Sequence, residues 1–344
     1  MDPLAIREGY REARQPFIAC MRYLAVSVVL FSFVASCGGK VGEPEQSVKL
    51  TRIAFIHSGS PQPYHKEFEQ GLQDAGYVDG QNVIIEYRYA EGQTDRLPAI
   101  VDSLLALGVK VIVAADTGCI LAAKEKTTTV PIVMGVSGDP VGAGFVESLA
   151  RPGGNITGLS TLGPQTSVKR IELLKQLVPT ATRMGLLMNP RNPVTAQQLA
   201  DSQAAGQLLG VEIYALPVQR GEDLDLVLQT AIDQQLDALV MIGDPSFTKE
   251  RARLEEFLVR HKLPTVVNPE HIEAGGILSY APTVGGLLYR SASYVDRILK
   301  GAKPAELPVE QPTQFQFIIN LGTAEAFGIE VPAALMLQAD RVIR

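Results

Sequence analysis

A chain of 344 residues, 46% hydrophobic and 20% charged, has material for more than one buried core, and its length suggests two domains. The formal charge of −6 argues against a nucleic-acid partner, which needs a basic face. Three widely spaced cysteines, Cys20, Cys37 and Cys119, form neither a disulfide framework nor a metal-ligand cluster.

In chain order the first segment is an address. Residues 23–34, YLAVSVVLFSFV, are too short an apolar run to span a bilayer and the right length for the core of a secretory signal. Met21 and Arg22 precede it as a start and a positive n-region, so Met21 is read as the true start of translation. The run ends in Val34-Ala35-Ser36-Cys37 before Gly38-Gly39, which resembles the lipobox of bacterial lipoproteins. That resemblance implies lipidation at Cys37, whose thiol is the nucleophile, and more than one acyl chain is needed for a stable anchor. The alternative is an ordinary cleaved signal with an incidental cysteine. Either version places the mature protein beyond the cytoplasmic membrane. Residues 1–37 are thus the leader and 38–49 a polar tether.

From residue 50 the chain alternates β-rich runs with amphipathic helical stretches. Strands are predicted at 52–57, 83–89, 109–115 and 131–136, and the rhythm restarts at 183–188, 211–216, 238–242 and 264–267. Their continuous Val, Ile, Leu and Met content suits parallel strands covered on both faces. Helices are predicted at 64–75, 95–107, 167–177 and 195–209, with Gly76, Gly108 and Gly210 where a left-handed residue would end them. Alternating elements of this kind build parallel sheets from right-handed βαβ units. Gly-rich or extended stretches at 151–158, 273–280 and 307–320 are read as crossings between two lobes, and the helix at 287–299 as a return to the first lobe.

Five stretches together resemble the ABC transporter substrate-binding proteins related to tryptophan- and tyrosine-binding lipoproteins. They are residues 71–98 (GLQDAGYVDGQNVIIEYRYAEGQTDRLP), 131–160 (PIVMGVSGDPVGAGFVESLARPGGNITGLS), 169–193, 261–282 and 294–329. The resemblance implies an α/β, two-lobed type I periplasmic-binding fold, each lobe a parallel sheet flanked by helices, joined by three hinge crossovers. Lobe 1 would comprise 50–156 plus 281–308, and lobe 2 157–280 plus 309–344. It further implies a monomeric receptor that closes on an amino acid-like ligand, aromatic amino acids among the candidates. The receptor would deliver that ligand to a permease with its ATPase. A purine or nucleoside is the second ligand class. The other functional reading is a sensor domain that passes a small-molecule signal to a membrane partner.

In open parallel sheets ligands bind beyond the carboxyl ends of the strands. The residues there that suit a zwitterion are Ser58, Gly59, Thr117, Ser137, Asp139, Asn189 and Asp244, with Tyr280 on the second crossing. Hydroxyls and backbone N–H groups at helix starts can hold a carboxylate, and an aspartate can pair with an ammonium. Ser, Asn and Asp at these positions also serve as plain helix caps. Tyr64, Phe145 and Phe247 follow these loops and are candidates for stacking on an aromatic ligand. Gly153-Gly154 and Gly275-Gly276 are the expected hinge points. The chain holds no GxxxxGK[ST], HExxH or GxSxG motif and no GxGxxG after a strand, so no cofactor, metal or catalytic residue is expected.

Overall fold

The computed structural model describes residues 50–61, 65–219 and 221–344. The leader, Cys37, the tether and Tyr64 lie outside the described residues.

The first half runs β1 (Thr51–His57), α1 (His65–Asp74), β2 (Val83–Tyr89), α2 (Leu97–Ala106), β3 (Val111–Ala114), α3 (Thr117–Lys126), β4 (Ile132–Ser137) and β5 (Ile156–Ser160). These strands form one parallel sheet in the order β2-β1-β3-β4-β5. The VIVA of β3 is wholly buried because successive side chains enter two different cores. Ile112 and Ala114 pack with Leu97, Val101 and Ile120 of α2 and α3. Val111 and Val113 pack with Phe68 and Leu72 of α1 on the other face.

The second half continues with α4 (Gly163–Leu177), β6 (Arg183–Met188), α5 (Thr195–Leu209), β7 (Glu212–Pro217), α6 (Leu224–Asp233), β8 (Ala238–Met241), α7 (Arg251–His261), β9 (Thr265–Val267) and β10 (Leu278–Pro282). Then come α8 (Val284–Leu299), β11 (Phe315–Asn320), α9 (Leu321–Phe327), α10 (Ala333–Met336) and β12 (Arg341–Ile343). The second sheet has the order β12-β11-β10-β9-β8-β6-β7 and is parallel except where β11 runs antiparallel to β10. The fold is therefore α/β with two helix-flanked sheets, which divide the described chain into two lobes. Helix α8 leaves the second sheet to pack on the first, where Leu287, Leu288 and Val295 join the core with Phe68 and Phe55. Its approach to α1 is so close that a Cβ on Gly71 would lie 2.4 Å from the carbonyl oxygen of Tyr289.

The chain passes between the sheets three times: after Ser160, at Thr283, and through residues 310–314. The first and third passages are laced together. Ser160 N donates to the Glu310 carbonyl at 2.9 Å, and Glu310 N donates to that of Gly158 at 3.0 Å. These positions correct the expected hinges. Gly153 and Gly275 sit at positive φ in the turns that lead into β5 and β10, inside their own lobes. Strand β5 also spans residues 156 and 157, where the sequence divides the lobes, and both pair with β4. The run ITGLS looks like a turn because of its glycine. It is a strand because Gly158, at φ +132°, lets the backbone come within reach of Met134, whose carbonyl oxygen would be 2.3 Å from any Cβ there.

Candidate functional site

The carboxyl ends of β1 and β3 face those of β6, β8, β9 and β10 across a cavity of about 910 Å³. The two walls are built differently.

On the first wall Asp116 caps α3, accepting from Cys119 N at 3.1 Å, and reaches sideways to accept from Ser58 N at 2.7 Å. One carboxylate thereby fixes the loop after β1 to the helix after β3. Gly59 N donates to His57 Nδ1 at 3.0 Å, and Nε2 of the same ring lies 3.9 Å from Asp116 Oδ2. The thiol of Cys119, fully buried behind this wall, donates to Asp116 Oδ2 at 3.4 Å. Burial, and after it the Asp116 charge, pushes the thiol pKa well up, so it stays protonated.

On the second wall Asp244 follows β8 and gathers four donors. Asn189 Nδ2 lies at 3.1 Å, Asn192 Nδ2 at 3.0 Å, and Ser246 gives its N–H at 3.0 Å and its hydroxyl at 2.6 Å. Behind it one face of α4 lines the cavity through Gly163, Thr166, Ser167 and Arg170, spaced i, i+3, i+4, i+7. Arg170 is 4% exposed and has no carboxylate within salt-bridge distance among the described residues. It donates to the carbonyls of Tyr280 (2.8 Å) and Met241 (2.6 Å) and to Asn268 Oδ1 (2.9 Å), tying the middle of β10 and the ends of β8 and β9 to one guanidinium. Burial lowers its pKa to about 10 and Glu270 opposes the shift, so Arg170 remains charged near neutrality. Gln198 of α5 is 6% exposed, donates to Ser167 Oγ at 3.4 Å, and leaves its Oε1 without a hydrogen-bond partner among the described residues.

The walls meet at the mouth of the cavity. Arg191 of the second lobe pairs with Asp95 of the first at 2.8 Å. A Cβ on Gly59 would stand 3.7 Å from Cβ of Pro245, and Gly163 N donates to the Gly138 carbonyl at 2.8 Å.

Of the eight residues singled out from the sequence, Ser58, Thr117, Asn189 and Asp244 line the cavity. The other four do not. Gly59 turns its backbone N–H to His57. Ser137 is fully buried at a register shift in β4, with its hydroxyl unpartnered. Asp139 lies outside the cavity lining, with Oδ1 accepting from the N–H of Gly142 at 2.8 Å. Tyr280 stacks on Phe315 with ring centroids 5.2 Å apart and offers the site only its carbonyl, through Arg170. Phe145 and Phe247, the described stacking candidates, are core residues. Sequence reasoning missed Arg170 and Gln198. The signal for Arg170 was the polar stripe Thr166, Ser167, Arg170 on a helix that begins at Gly163, four residues earlier than expected. Among the described residues no group of three or more His, Cys, Asp or Glu could hold a metal ion, and no helix is long and apolar enough to cross a membrane.

The family model for the ABC transporter substrate binding protein matches residues 49–343. A tyrosine-binding protein of Clostridioides difficile is 24% identical over 278 residues, covering 80% of this chain and 78% of that one. The ABC domain from Streptococcus pneumonia, solved in complex with L-Trp, is 25% identical with a TM-score of 0.79, over 86% of this chain and 100% of that one. A conserved domain protein from Vibrio cholerae is 26% identical with the same TM-score and the same coverage. The matched family and the two relatives named for a ligand are solute-binding proteins, not enzymes.

Proposed function

The chain belongs to the ABC transporter substrate binding protein family, and on that premise we propose that it is an import receptor that captures a small amino acid-like molecule between its lobes and delivers it to a permease with its ATPase. In this reading it acts as a monomer on the extracytoplasmic side of the membrane, held there by lipid on Cys37. The observation that carries the proposal is the cavity itself. Its polar groups converge from the strand ends of two sheets joined by three short passages, so a ligand held there engages both walls at once. Ser58 and Thr117 from the first lobe and Asn189 and Asp244 from the second are the proposed ligand contacts. Asp139, Ser137, Gly59 and Tyr280 shape the loops that present them.

A ligand that touches both walls shifts the balance toward the closed form by its differential affinity for closed over open. The relatives named for tyrosine and L-Trp make an amino acid the first ligand class to test. The test is native mass spectrometry of the purified protein, followed by thermal unfolding with the molecule it retains. At a hundredfold excess over Kd, binding stabilises by about 2.7 kcal/mol. The double variant Asn189→Ala, Asp244→Ala is expected to lose that gain. Full stabilisation of the double variant would reject the site, and a protein that retains and responds to no small molecule would reject the receptor.

A further inference from the structure

Among the described residues the cavity has two buried carboxylates, on opposite walls, and neither has a Lys or Arg partner. Asp116 is 7% exposed and Asp244 8%. Among the described residues every donor that reaches Asp244 is neutral, and Asp116 accepts from two backbone N–H groups and a thiol, with Nε2 of His57 3.9 Å away. A carboxylate oxygen has room for two hydrogen bonds. Asp116 Oδ1 accepts only from Cys119 N, and Asp244 Oδ2 only from Asn192. Each therefore keeps one acceptor position open. The buried cation of the site, Arg170, does not compensate them, since its donors go to two carbonyls and an amide. Buried charges of this kind are ordinarily paired.

Two further observations point the same way. Gln198 lines the cavity with an acceptor, Oε1, that no described residue fills. Toward the mouth, Glu67, Glu125, Glu270 and Glu273 also line the cavity, against Arg191 and Arg251, and Arg191 is already bound to Asp95. The field in the cleft is negative, and it raises the local concentration of cations. An α-amino acid offers one ammonium, which satisfies one aspartate. The other aspartate and the Gln198 carbonyl still call for donors.

We infer that the ligand is an amino acid-like molecule of net positive charge, one that carries a second cationic nitrogen on an aliphatic arm, so that one nitrogen meets Asp116 and the other Asp244. This rests on the receptor reading above and narrows its ligand class.

The probes are L-lysine and L-norleucine, which share the α-carbon groups and the aliphatic arm and differ by the terminal ammonium, with L-tyrosine and L-tryptophan as neutral aromatic arms. Binding is measured by isothermal titration on the wild-type chain. A charge-assisted hydrogen bond contributes about 1.5–3 kcal/mol, so lysine should bind roughly tenfold to a hundredfold tighter than norleucine. Asp116→Asn or Asp244→Asn should bring that ratio close to one, with far-ultraviolet circular dichroism reporting whether each variant folds. The wild-type ratio needs no variant. Norleucine, tyrosine or tryptophan binding as tightly as lysine, no binding of lysine, or a ratio unchanged in both folded variants overturns the inference. The receptor reading is judged apart from these probes. It survives an overturned inference if any small molecule is retained through purification, and falls if none is.

Discussion

Replacing Arg170 by methionine removes a guanidinium that bonds to Met241 of β8, Asn268 after β9 and Tyr280 of β10 at once. The substitution keeps most of the buried aliphatic volume, so its cost comes from the three acceptors left behind. The carbonyls of Tyr280 and Met241 and the amide oxygen of Asn268 lose donors at 2.8, 2.6 and 2.9 Å. A buried polar group stranded in this way costs about 1–3 kcal/mol. Two effects reduce the sum. The acceptors border a cavity of about 910 Å³, which has room for replacement water. The variant also no longer buries an unpaired guanidinium, whose desolvation is what lowers its pKa to about 10. A net loss of about 3 kcal/mol is expected, or roughly 6–12 °C in Tm at about 2–4 °C per kcal/mol for a domain of this size. Urea unfolding followed by circular dichroism is the assay, with an unchanged m-value reporting that the unfolded state is not involved. Arg170→Lys keeps the charge without the fork and should recover only part of the loss. A methionine variant within about 1 kcal/mol of wild type would refute the idea that this guanidinium ties the strand ends together.

Three other outcomes follow from the same structure. Gly158→Ala puts a Cβ 2.3 Å from the Met134 carbonyl at φ +132°, so β4 and β5 must separate; a loss of about 3 kcal/mol or more in urea unfolding is expected, and a loss under 1 kcal/mol would show that the pair can yield. His271 is fully buried with both ring nitrogens unpartnered, and burial, with Arg251 adding to it and Glu270 opposing, lowers its pKa below 6.5. The unfolded chain therefore takes up the proton first. The neutral ring's contribution is complete above pH 6.5 and is lost as pH falls toward the folded pKa, by up to about 1.4 kcal/mol per pH unit. His271→Phe should flatten stability between pH 6.5 and 5, and an unchanged slope would assign the acid sensitivity elsewhere. Arg191→Glu breaks the exposed pair with Asp95 across the mouth; stability should change by less than about 1 kcal/mol while ligand dissociation in stopped flow speeds up several-fold. Unchanged dissociation would remove the pair from the closing mechanism.

The strands that the sequence announced were those with unbroken apolar runs, such as VIVA in β3 and ALVM in β8. Strands β5 and β10 were missed because ITGLS and LSYAP carry the residues of turns. Their strand character comes from tertiary approach: Gly158 against Met134 in one case, antiparallel pairing with Phe315–Asn320 in the other. The strand-end rule found cavity residues where a strand stops cleanly, at Ser58, Thr117, Asn189 and Asp244. It failed at Ser137, where β4 shifts register and the hydroxyl is buried, and at Asp139, where a local turn holds the carboxylate against Gly142 N outside the lining. Arg170 was beyond the rule altogether. It reaches the strand ends from a helix, and only the packing of α4 on the second sheet brings it there.

Helix capping and ligand binding compete as explanations of an aspartate at a strand end, but at Asp116 and Asp244 the geometry lets one residue do both. A cap occupies the lone pairs that face the following backbone, and each carboxylate retains a position that the cap does not use. Capping holds the loop in one conformation before any ligand arrives, which spares the cost of ordering it on binding. It also means that a truncation to alanine confounds lost stability with lost affinity, because the same substitution uncaps α3 or the turn after β8. Asparagine keeps an acceptor for the cap and removes the charge. A defect that persists in the asparagine variants, with the fold intact, therefore belongs to the charge and to whatever cation meets it.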